Sequence, residues 1–319
     1  MATTQITIPH LHHLTSSQSH RVLWALEEIA QANPSFRYRL TVHSRQNALA
    51  PPELKEIFPL GKGPILTVET VGDAENEAGD VNGEGEGNVD VDVDTNASTG
   101  MPSQTATPLV SNRYQILPGV LTESRLILQF LADNYSANLW TPSPSSPPSP
   151  SSTTSNDLTR DIFFQEFANS TLAARVALAL VFDAIPPNLP PPFRQIVALL
   201  IRPVVKIFVK SQVEIFAVLE DNLSDPDPEA GDGDGKAREA EGEGKGKRKG
   251  MIKRPWFSGA KMGLADINMS WGMDMATALG YFEPVKFPKL ARWRKRVVNR
   301  PAYQSALKKG GVYDLVNFK

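Results

Sequence analysis

Residues 6–26 constrain the fold more than any other part of this chain, because they combine the pattern of a strand with that of a helix. Side chains alternate between two faces along residues 6–14, which is the period of an extended strand. A polar turn, Thr15-Ser16-Ser17, ends the alternation, and the apolar residues after it recur at helical spacing. The pattern predicts a strand, the serine turn (residues 15–17) and an amphipathic helix over 19–32.

The serine turn has two interpretations. Hydroxyl groups at the N-terminus of a helix can bind an anion, because the free amides and the helix dipole both favour negative charge. The same residue type also caps many purely structural helices. The sequence therefore makes this turn a candidate anion site and leaves the capping role open.

Three histidines, His10, His12 and His13, lie on the same predicted strand. Imidazole groups can bind metals, but neighbouring positions on a strand point to opposite faces of the sheet. We therefore interpret them as packed or surface side chains and predict no metal site.

Further strands and a short helix follow in an alternating order. Residues 38–42 are a predicted second strand, Pro51-Pro52 begins a short helix, and residues 65–70 are a third strand. This order predicts a parallel strand pair with a right-handed crossover, followed by an antiparallel hairpin. The last strand of the hairpin is predicted at 114–118, with a turn at Gly119 before the next helix.

Three segments of biased composition divide the chain. Residues 71–112 contain no lysine or arginine and are rich in Gly, Asp, Glu and Asn, and residues 225–250 are acidic first and basic last. Neither segment can bury enough apolar area to offset about 1–2 kcal/mol of backbone ordering per residue. We predict two disordered insertions there, and a Pro/Ser linker at 141–155 between domains at 1–140 and 156–319.

The part of the chain after the linker is predicted to be helical. One helix is expected over 157–182 and a second, or a pair kinked at Pro203, over 193–223. Charged residues such as Arg175 and Asp183 interrupt the apolar runs before the roughly 18 residues that a membrane span needs. Core helices are the preferred interpretation, and a peripheral membrane contact stays open.

Composition excludes several classes of function. The chain has no cysteine, which excludes disulfides, cysteine–zinc sites and a protein thiolate as nucleophile. Its net charge of −2 gives no reason to expect a nucleic-acid partner. The N-terminus MATTQITIPH lacks a basic and apolar leader, so no secretory signal is predicted.

Short motifs in a fixed order make the chain resemble the soluble glutathione transferases. The pattern is most similar to the fungal branch related to the yeast microsomal-associated enzymes, and it covers most of the chain outside the insertions and the linker. This resemblance implies a thioredoxin-like α/β domain followed by an all-α domain, with glutathione as the co-substrate and no permanently bound cofactor. The motifs are LHHL (11–14), RVLWALEE (21–28), APPEL (50–54), PLGKGP (59–64), TES (122–124), LADI (264–267) and NRPAYQSAL (299–307).

The resemblance also implies which residues form the site. In serine-type members the catalytic serine precedes the arginine of the first helix by four residues, which selects Ser17 before Arg21, with Ser16 as the second candidate. The serine turn contains no tyrosine, so a tyrosine-type enzyme is excluded. The residues expected to bind glutathione are Lys62, Gly63, Pro64 as a cis proline, Glu123 and Ser124.

One position departs from the family. A serine or threonine usually stands where this chain has Gly263, and it forms a reciprocal capping box with the aspartate that is Asp266 here. Glycine removes half of that box, and Asp266 is expected to supply the other half.

The leading functional hypothesis is conjugation of glutathione to apolar electrophiles, a detoxification reaction, with hydroperoxide reduction as a side activity. The resemblance adds a homodimer, a cytoplasmic location and association with the surface of the endoplasmic reticulum, and Phe164, Phe167 and Trp271 are candidate lining residues. A non-catalytic relative that serves as a binding or scaffold module is the alternative. A glutathione-dependent thiol reductase needs a cysteine, which is absent from the sequence.

Overall fold

The computed structural model describes residues 7–46, 48–70, 119–136, 139–140, 153–224 and 254–317. The predicted insertions at 71–112 and 225–250 and the predicted strand at 114–118 lie outside these residues.

A four-stranded mixed sheet forms the first structural layer. Its strands are β1 (Thr7–Leu14), β2 (Arg39–His43), β3 (Ile65–Thr70) and β4 (Val120–Thr122), in the order β2-β1-β3-β4. Strands β1 and β2 are parallel, whereas β3 is antiparallel to both β1 and β4. This topology confirms the predicted parallel unit followed by an antiparallel hairpin.

Strand β4 follows Gly119, where only a turn before the next helix was predicted. Gly119 has φ +73°, in the left-handed region that glycine adopts without a Cβ clash, and β4 follows it directly. The strand predicted before this glycine, at 114–118, lies outside the described residues. Strand β4 is only three residues long, so its pairing with β3, and not an alternating pattern of its own, defines it.

Three helices belong with the sheet: α1 (Ser19–Ala32), α2 (Leu54–Ile57) and α3 (Ser124–Tyr135). The bounds of α1 confirm the prediction. Helix α1 packs against β1 and α3, and most of its residues are buried. A separate apolar cluster joins β1 to α2 and β3 through Leu14, Leu54 and Ile65.

The chain divides into two compact units, and the division corrects the predicted domains. Met1–Leu139 and Arg300–Lys319 form one unit, and Trp140–Asn299 form the other. Helix α9 (Pro301–Lys309) therefore packs on α1, although the sequence assigned it to the helical domain. The sequence pattern shows an amphipathic helix there but carries no information about which surface it covers.

Ion pairs explain why α9 returns to the first unit. Arg300 donates through Nε and Nη2 to the two carboxylate oxygens of Glu28, at 2.5 and 2.8 Å. Lys309 donates to Glu27 at 2.8 Å. Both glutamates are buried on α1, where an unpaired carboxylate would be costly. The C-terminal helix supplies the cations that these carboxylates need.

The second unit contains helices α4 to α8. Helix α4 begins at Thr153, so the predicted linker at 141–155 ends earlier than expected. The elements are α4 (Thr153–Glu166), a π-helical segment (Phe167–Ala173), α5 (Ala174–Ala184), α6 (Phe193–Asp221, with Pro203 inside), α7 (Leu264–Ala278) and α8 (Pro288–Val298).

Asp266 caps α7 as predicted, and a second aspartate takes the place of the missing hydroxyl. The Gly263 amide donates to Asp266 at 3.1 Å, which preserves one half of the capping box. The Ala265 amide donates to Asp161 of α4 at 3.0 Å. Burial raises the pKa of Asp266, while a hydrogen bond from Trp293 at 2.7 Å acts in the opposite direction. Both carboxylates therefore have structural roles.

Among the described residues, one continuous helical stretch, Asp157–Ala184, is long and apolar enough to cross a membrane by length and composition alone. The prediction that charges break this run too early was therefore wrong. Only 22% of its most apolar window is buried, which also weakens the interpretation as a core helix.

Candidate functional site

The sheet register brings three predicted site segments to one edge. His12 of β1 pairs with Ile65 of β3, and Ile65 pairs with Thr122 of β4. Because β3 is antiparallel to both neighbours, the C-terminal ends of β1 and β4 lie beside its N-terminal end. The serine turn, Gly63-Pro64 and Glu123-Ser124 therefore meet at the same edge of the sheet.

Gly63 and Pro64 are joined by a cis peptide bond, as the resemblance implied. A Cβ at position 63 would lie 2.7 Å from Oγ of Ser19 and 2.8 Å from Cβ of Leu14. Both distances are shorter than real Cβ contacts, so only glycine fits at this position. The chain thus brings its backbone close to the first turn of α1. Lys62, one residue earlier, has an exposed side chain.

Ser17 is buried, and its hydroxyl has partners within the turn. Its Oγ lies 2.7 Å from the Leu14 carbonyl oxygen, to which it donates, and it accepts the Ser19 amide at 3.1 Å. The hydroxyl group of Ser19 lies 3.0 Å away. A hydroxyl carries one proton, so Ser17 can donate to another acceptor only when that proton leaves the Leu14 carbonyl.

Ser19 is a functional candidate that the sequence analysis did not single out. Its side chain is fully buried, and its Oγ lies 3.0 Å from Oγ of Ser17 and 3.4 Å from the Leu14 amide, where a Cβ at position 63 would come within 2.7 Å. Ser19 therefore positions Ser17. In the sequence, Ser19 is only the first residue of the predicted helix, and that position does not indicate a role in the site.

Ser16, the second catalytic candidate, holds the C-terminal tail (residues 310–317) against the turn. Its backbone has φ +49°, and its amide donates to the Val312 carbonyl at 3.1 Å. Its Oγ accepts the Asp314 amide at 3.0 Å and lies 3.3 Å from the Val312 carbonyl. These partners give the Ser16 hydroxyl a structural role.

The tail also places a tyrosine beside α1. The ring of Tyr313 lies 4.4 Å from the ring of His20, which is fully enclosed by protein. Burial, together with the neighbouring His13, lowers the pKa of His20 to about 3. The serine turn itself contains no tyrosine, and no local sequence pattern could have revealed a contact across almost the whole chain.

Arg21 is a buried cation at the start of α1. Burial lowers its pKa to about 10, while the charges of Tyr313 and Glu123 act in the opposite direction. Its Nη2 donates to Gln18 at 2.5 Å. A pKa of about 10 keeps the guanidinium charged at neutral pH, so Arg21 adds positive charge at the same end of α1 as the serine turn.

Glu123 and Ser124 form the start of α3 as predicted. Glu123 has φ +67°, a conformation that non-glycine residues seldom adopt and that recurs at functional sites. The Ser124 side chain is 3% exposed, and its Oγ has no hydrogen-bond partner among the described residues. Buried hydroxyls nearly always have a partner. The N-terminus of α3 thus offers a polar group that is suited to a bound ligand.

The histidines of β1 have protein partners. His10 lies 2.9 Å from Glu69 and 2.7 Å from Thr41, and His12 lies 3.3 Å from His43. Burial, together with the neighbouring imidazoles, lowers the pKa of His12 to about 3. Across the described part of the chain, no three acidic or histidine side chains are grouped to hold a metal ion.

The profile of the "Glutathione S-transferase, C-terminal domain" matches residues 209–301. Solved structures match nearly the whole chain. The glutathione transferases URE2P6 and URE2P8 from Phanerochaete chrysosporium, both solved with oxidized glutathione, have TM-scores of 0.54 and 0.53. Both are 17% identical to this chain and cover 97% of it. The match spans 98% of the URE2P6 chain and 97% of the URE2P8 chain. The chain has the glutathione S-transferase fold.

Curated glutathione transferases from yeasts are similar over a shorter segment. Glutathione S-transferase 3 of Schizosaccharomyces pombe is 38% identical over 68 residues, which is 21% of this chain and 26% of that protein. Glutathione S-transferase 1 of Saccharomyces cerevisiae is 37% identical over 65 residues, with 20% and 26% covered. The chain thus matches about a quarter of the length of these relatives. Together the comparisons show the glutathione S-transferase fold and a partial sequence similarity to two yeast enzymes.

Proposed function

We propose that the chain is a glutathione transferase that holds glutathione at the sheet edge and stabilises its thiolate with Ser17. The observation that carries this proposal is the buried Ser124 hydroxyl at the start of α3, which has no partner in the part of the chain that the structure describes. It stands at the edge where the register also brings Gly63-Pro64 and the serine turn. Glutathione has a carboxylate, a peptide backbone and a thiol that can occupy these three places.

Glutathione binding can be assigned group by group. The γ-glutamyl carboxylate would accept from the Ser124 hydroxyl and from the free amides of α3, where the helix dipole favours an anion. The ammonium group would face the Glu123 carboxylate. The backbone of Gly63 would pair with the cysteinyl residue in the manner of a strand edge, and Lys62 would meet the glycyl carboxylate.

Activation of the thiol requires a lower pKa. A free thiol has a pKa of about 8.5, so only a few per cent is ionised at neutral pH. Lowering the pKa by two units corresponds to about 2.7 kcal/mol of stabilisation of the thiolate. A bond from the Ser17 hydroxyl, the N-terminus of α1 and the buried charge of Arg21 all favour the charged sulfur.

The chemical steps then need no protein nucleophile. The thiol proton leaves to solvent, and the thiolate attacks an electrophilic carbon while a leaving group such as chloride departs. With a hydroperoxide, the thiolate would take the terminal oxygen and release an alcohol. A second glutathione would then reduce the sulfenic acid to glutathione disulfide and water.

The helical unit would supply contacts for the apolar electrophile. Phe164 is not suited to this role, because it is buried against Phe257 with ring centroids 5.0 Å apart. Phe167, in the π-helical segment, and Trp271 of α7 are only partly buried and stay candidates. Detoxification of such compounds in the cytoplasm, by a homodimer, is the proposed context.

One observation favours the alternative of a non-catalytic binding module. Both hydroxyls of the serine turn already have protein partners, Leu14 for Ser17 and the tail for Ser16. In a binding module the serines would only stabilise the turn. Ser124 and Glu123 would then hold glutathione without activating it.

Retention on glutathione-agarose and conjugation of chlorodinitrobenzene, combined with an ultraviolet titration of the bound thiol, separate the two functions. We expect Ser17→Ala to keep glutathione affinity within a few-fold, to raise the thiol pKa by about one unit and to lower turnover at pH 6.5 at least tenfold. Ser16→Ala should lower turnover less. Ser170→Ala, an exposed serine on the helical unit, is the matched control.

Each result has a distinct meaning. Loss of turnover with Ser16→Ala alone would show that the wrong serine of the turn has been assigned. Unchanged turnover in both variants would exclude activation by a hydroxyl. Retention that depends on Ser124 without any conjugation would establish the binding module, and no retention at all would refute both functions.

A further inference from the structure

The helical unit exposes a long apolar hairpin that its core does not cover. We define the distal hairpin as residues 174–210, which comprise α5, the proline-rich tip and the N-terminal part of α6. No side chain that the structure describes between 180 and 211 is buried. The two helices contact each other, for example through stacked rings of Phe182 and Phe208 with centroids 5.4 Å apart. The hairpin is therefore ordered as helices but exposes their outer faces.

Apolar side chains form a continuous stripe on the outer face of the distal hairpin. They recur every three or four residues, which places them on one side of a helix. Soluble proteins seldom expose apolar patches of this extent without a partner. The stripe consists of Phe193, Ile196, Leu200, Val204 and Ile207 on α6, Leu178 and Val181 on α5, and Ile185 directly after α5.

The charge of the distal hairpin is opposite to that of the whole chain. Five basic residues and one acidic residue, Asp183, give it a net charge of +4, against −2 for the complete sequence. Arg202, Lys206 and Lys210 recur every four residues and form an exposed basic row beside the apolar stripe. An apolar stripe flanked by basic side chains is the pattern of helices that lie in a lipid–water interface.

From this arrangement we infer that the distal hairpin is a membrane-docking element that inserts its apolar stripe into an anionic lipid surface. The stripe enters the boundary between headgroups and acyl chains, and the basic row contacts the lipid phosphates and carboxylates. The helical stretch Asp157–Ala184, whose C-terminal part is α5 of the hairpin, also has the hydropathy of a membrane segment. This inference does not depend on the proposed transferase activity.

Charge argues against a second copy of the chain as the occupant. A two-fold interface uses the same surface on both subunits, so the hairpin would meet its own copy. Each copy would bring a net charge of +4, and the single Asp183 offers little compensation. An anionic lipid surface complements the basic row, whereas a second hairpin repels it.

Co-sedimentation of the full chain with vesicles tests this inference. We expect binding to phosphatidylcholine vesicles that contain one third phosphatidylserine, and at least tenfold weaker binding to pure phosphatidylcholine. Leu200→Gln/Ile207→Gln should weaken binding at least tenfold, because both side chains are about two-thirds exposed (68% and 67%) and glutamine preserves the helix. Arg202→Gln/Lys206→Gln should weaken binding to the anionic vesicles about tenfold or more.

Matched variants control for a general loss of apolar or basic surface. Leu49→Gln/Val285→Gln removes two apolar side chains outside the hairpin that are at least as exposed, 70% and 95%. Lys295→Gln/Lys308→Gln removes two exposed lysines from α8 and α9. Both control variants should bind vesicles like the unmodified chain. Equal loss in the controls and in the hairpin variants would overturn the assignment to this surface.

Three further results would also overturn the inference. One is the absence of binding to either kind of vesicle. Another is the loss of binding after deletion of 225–249, with the hairpin variants unaffected, since the basic end of that segment would then be the lipid-binding part. The third is a change from dimer to monomer in Leu200→Gln/Ile207→Gln, measured by light scattering, without any change in vesicle binding. That result would assign the stripe to a second copy of the chain.

Discussion

Replacing Arg300 by alanine should destabilise the first unit more than its partial exposure suggests. Its guanidinium makes a two-bond contact with Glu28, which is buried on α1 and also accepts a hydrogen bond from Trp24 at 2.7 Å. Removing one partner of a buried ion pair leaves an uncompensated charge and costs about 3–5 kcal/mol. Arg300 is 33% exposed, so water can partly solvate the remaining carboxylate. We therefore expect a loss of about 2–4 kcal/mol.

The exposed pair Arg39–Glu69 provides a matched control with the same chemistry. It has a similar distance, 2.5 Å, but both side chains are exposed. Such pairs contribute about 0–1 kcal/mol. Urea unfolding followed by tryptophan fluorescence should show a much larger loss for Arg300→Ala than for Arg39→Ala. With about 2–4 °C per kcal/mol, the melting temperature of Arg300→Ala should fall by roughly 4–16 °C.

A double variant separates the ion pair from other contacts of α9. Glu28→Gln/Arg300→Met removes both charges but keeps an oxygen acceptor for the Trp24 indole. It should be less destabilised than Arg300→Ala, because no buried charge is left unpaired. If Arg300→Ala stayed within about 1 kcal/mol of Arg39→Ala, the apolar contacts of α9 would be sufficient to hold it, and the ion-pair explanation would be refuted.

Gly63→Ala should lower glutathione affinity and cost about 1–3 kcal/mol of stability, because the added Cβ would lie 2.7 Å from Oγ of Ser19; unchanged affinity in titration calorimetry would contradict the close approach. Burial lowers the pKa of His13 to about 4 and of His20 to about 3, so these groups stay neutral in the folded chain while the unfolded chain takes up protons below pH 6.5. The free energy of unfolding should therefore fall between pH 6.5 and 4, by up to about 1.4 kcal/mol per pH unit and group. His20→Phe should make that decrease shallower, and an identical slope in the variant would argue against a contribution from His20. Deletion of 73–108 should leave the melting temperature almost unchanged, and hydrogen exchange in the complete chain should find this segment unprotected, which slow-exchanging amides would disprove.

The sequence predicted correctly those elements in which apolar residues recur with the spacing of a helix or a strand. Helix α1 and strand β3 have the predicted bounds, because a polar turn and a proline mark their starts and an apolar period runs through both. Strand β4 has no such period, since three residues of backbone pairing with β3 define it. The place of α9 could not be predicted either. It depends on buried charges of α1 that lie far away in the sequence.

The backbone positions of the site were more predictable than its side-chain partners. The cis bond at Gly63-Pro64 and the helix start at Glu123-Ser124 follow from motifs, because a proline and a helix cap impose local geometry. The hydrogen bonds between Ser16 and the tail join residues almost 300 positions apart. No local spacing encodes such a contact, so the roles of Ser16 and Tyr313 appear only in three dimensions.

In the proposed mechanism, the hydroxyl of Ser17 acts through a competition between two acceptors. A neutral thiol is a weak acceptor and would not displace the Leu14 carbonyl, which holds the proton at 2.7 Å. A thiolate can displace it, because a charge-assisted bond contributes about 1.5–3 kcal/mol against about 0.5–1.5 kcal/mol for the neutral bond that is lost. The net gain of about 1–1.5 kcal/mol lowers the thiol pKa by about one unit. The helix N-terminus adds about 0.3–1 kcal/mol, and the buried charge of Arg21 also favours the thiolate. The serine therefore supplies about half of a two-unit shift, and its removal should leave the bound thiol with a pKa still below that of free glutathione.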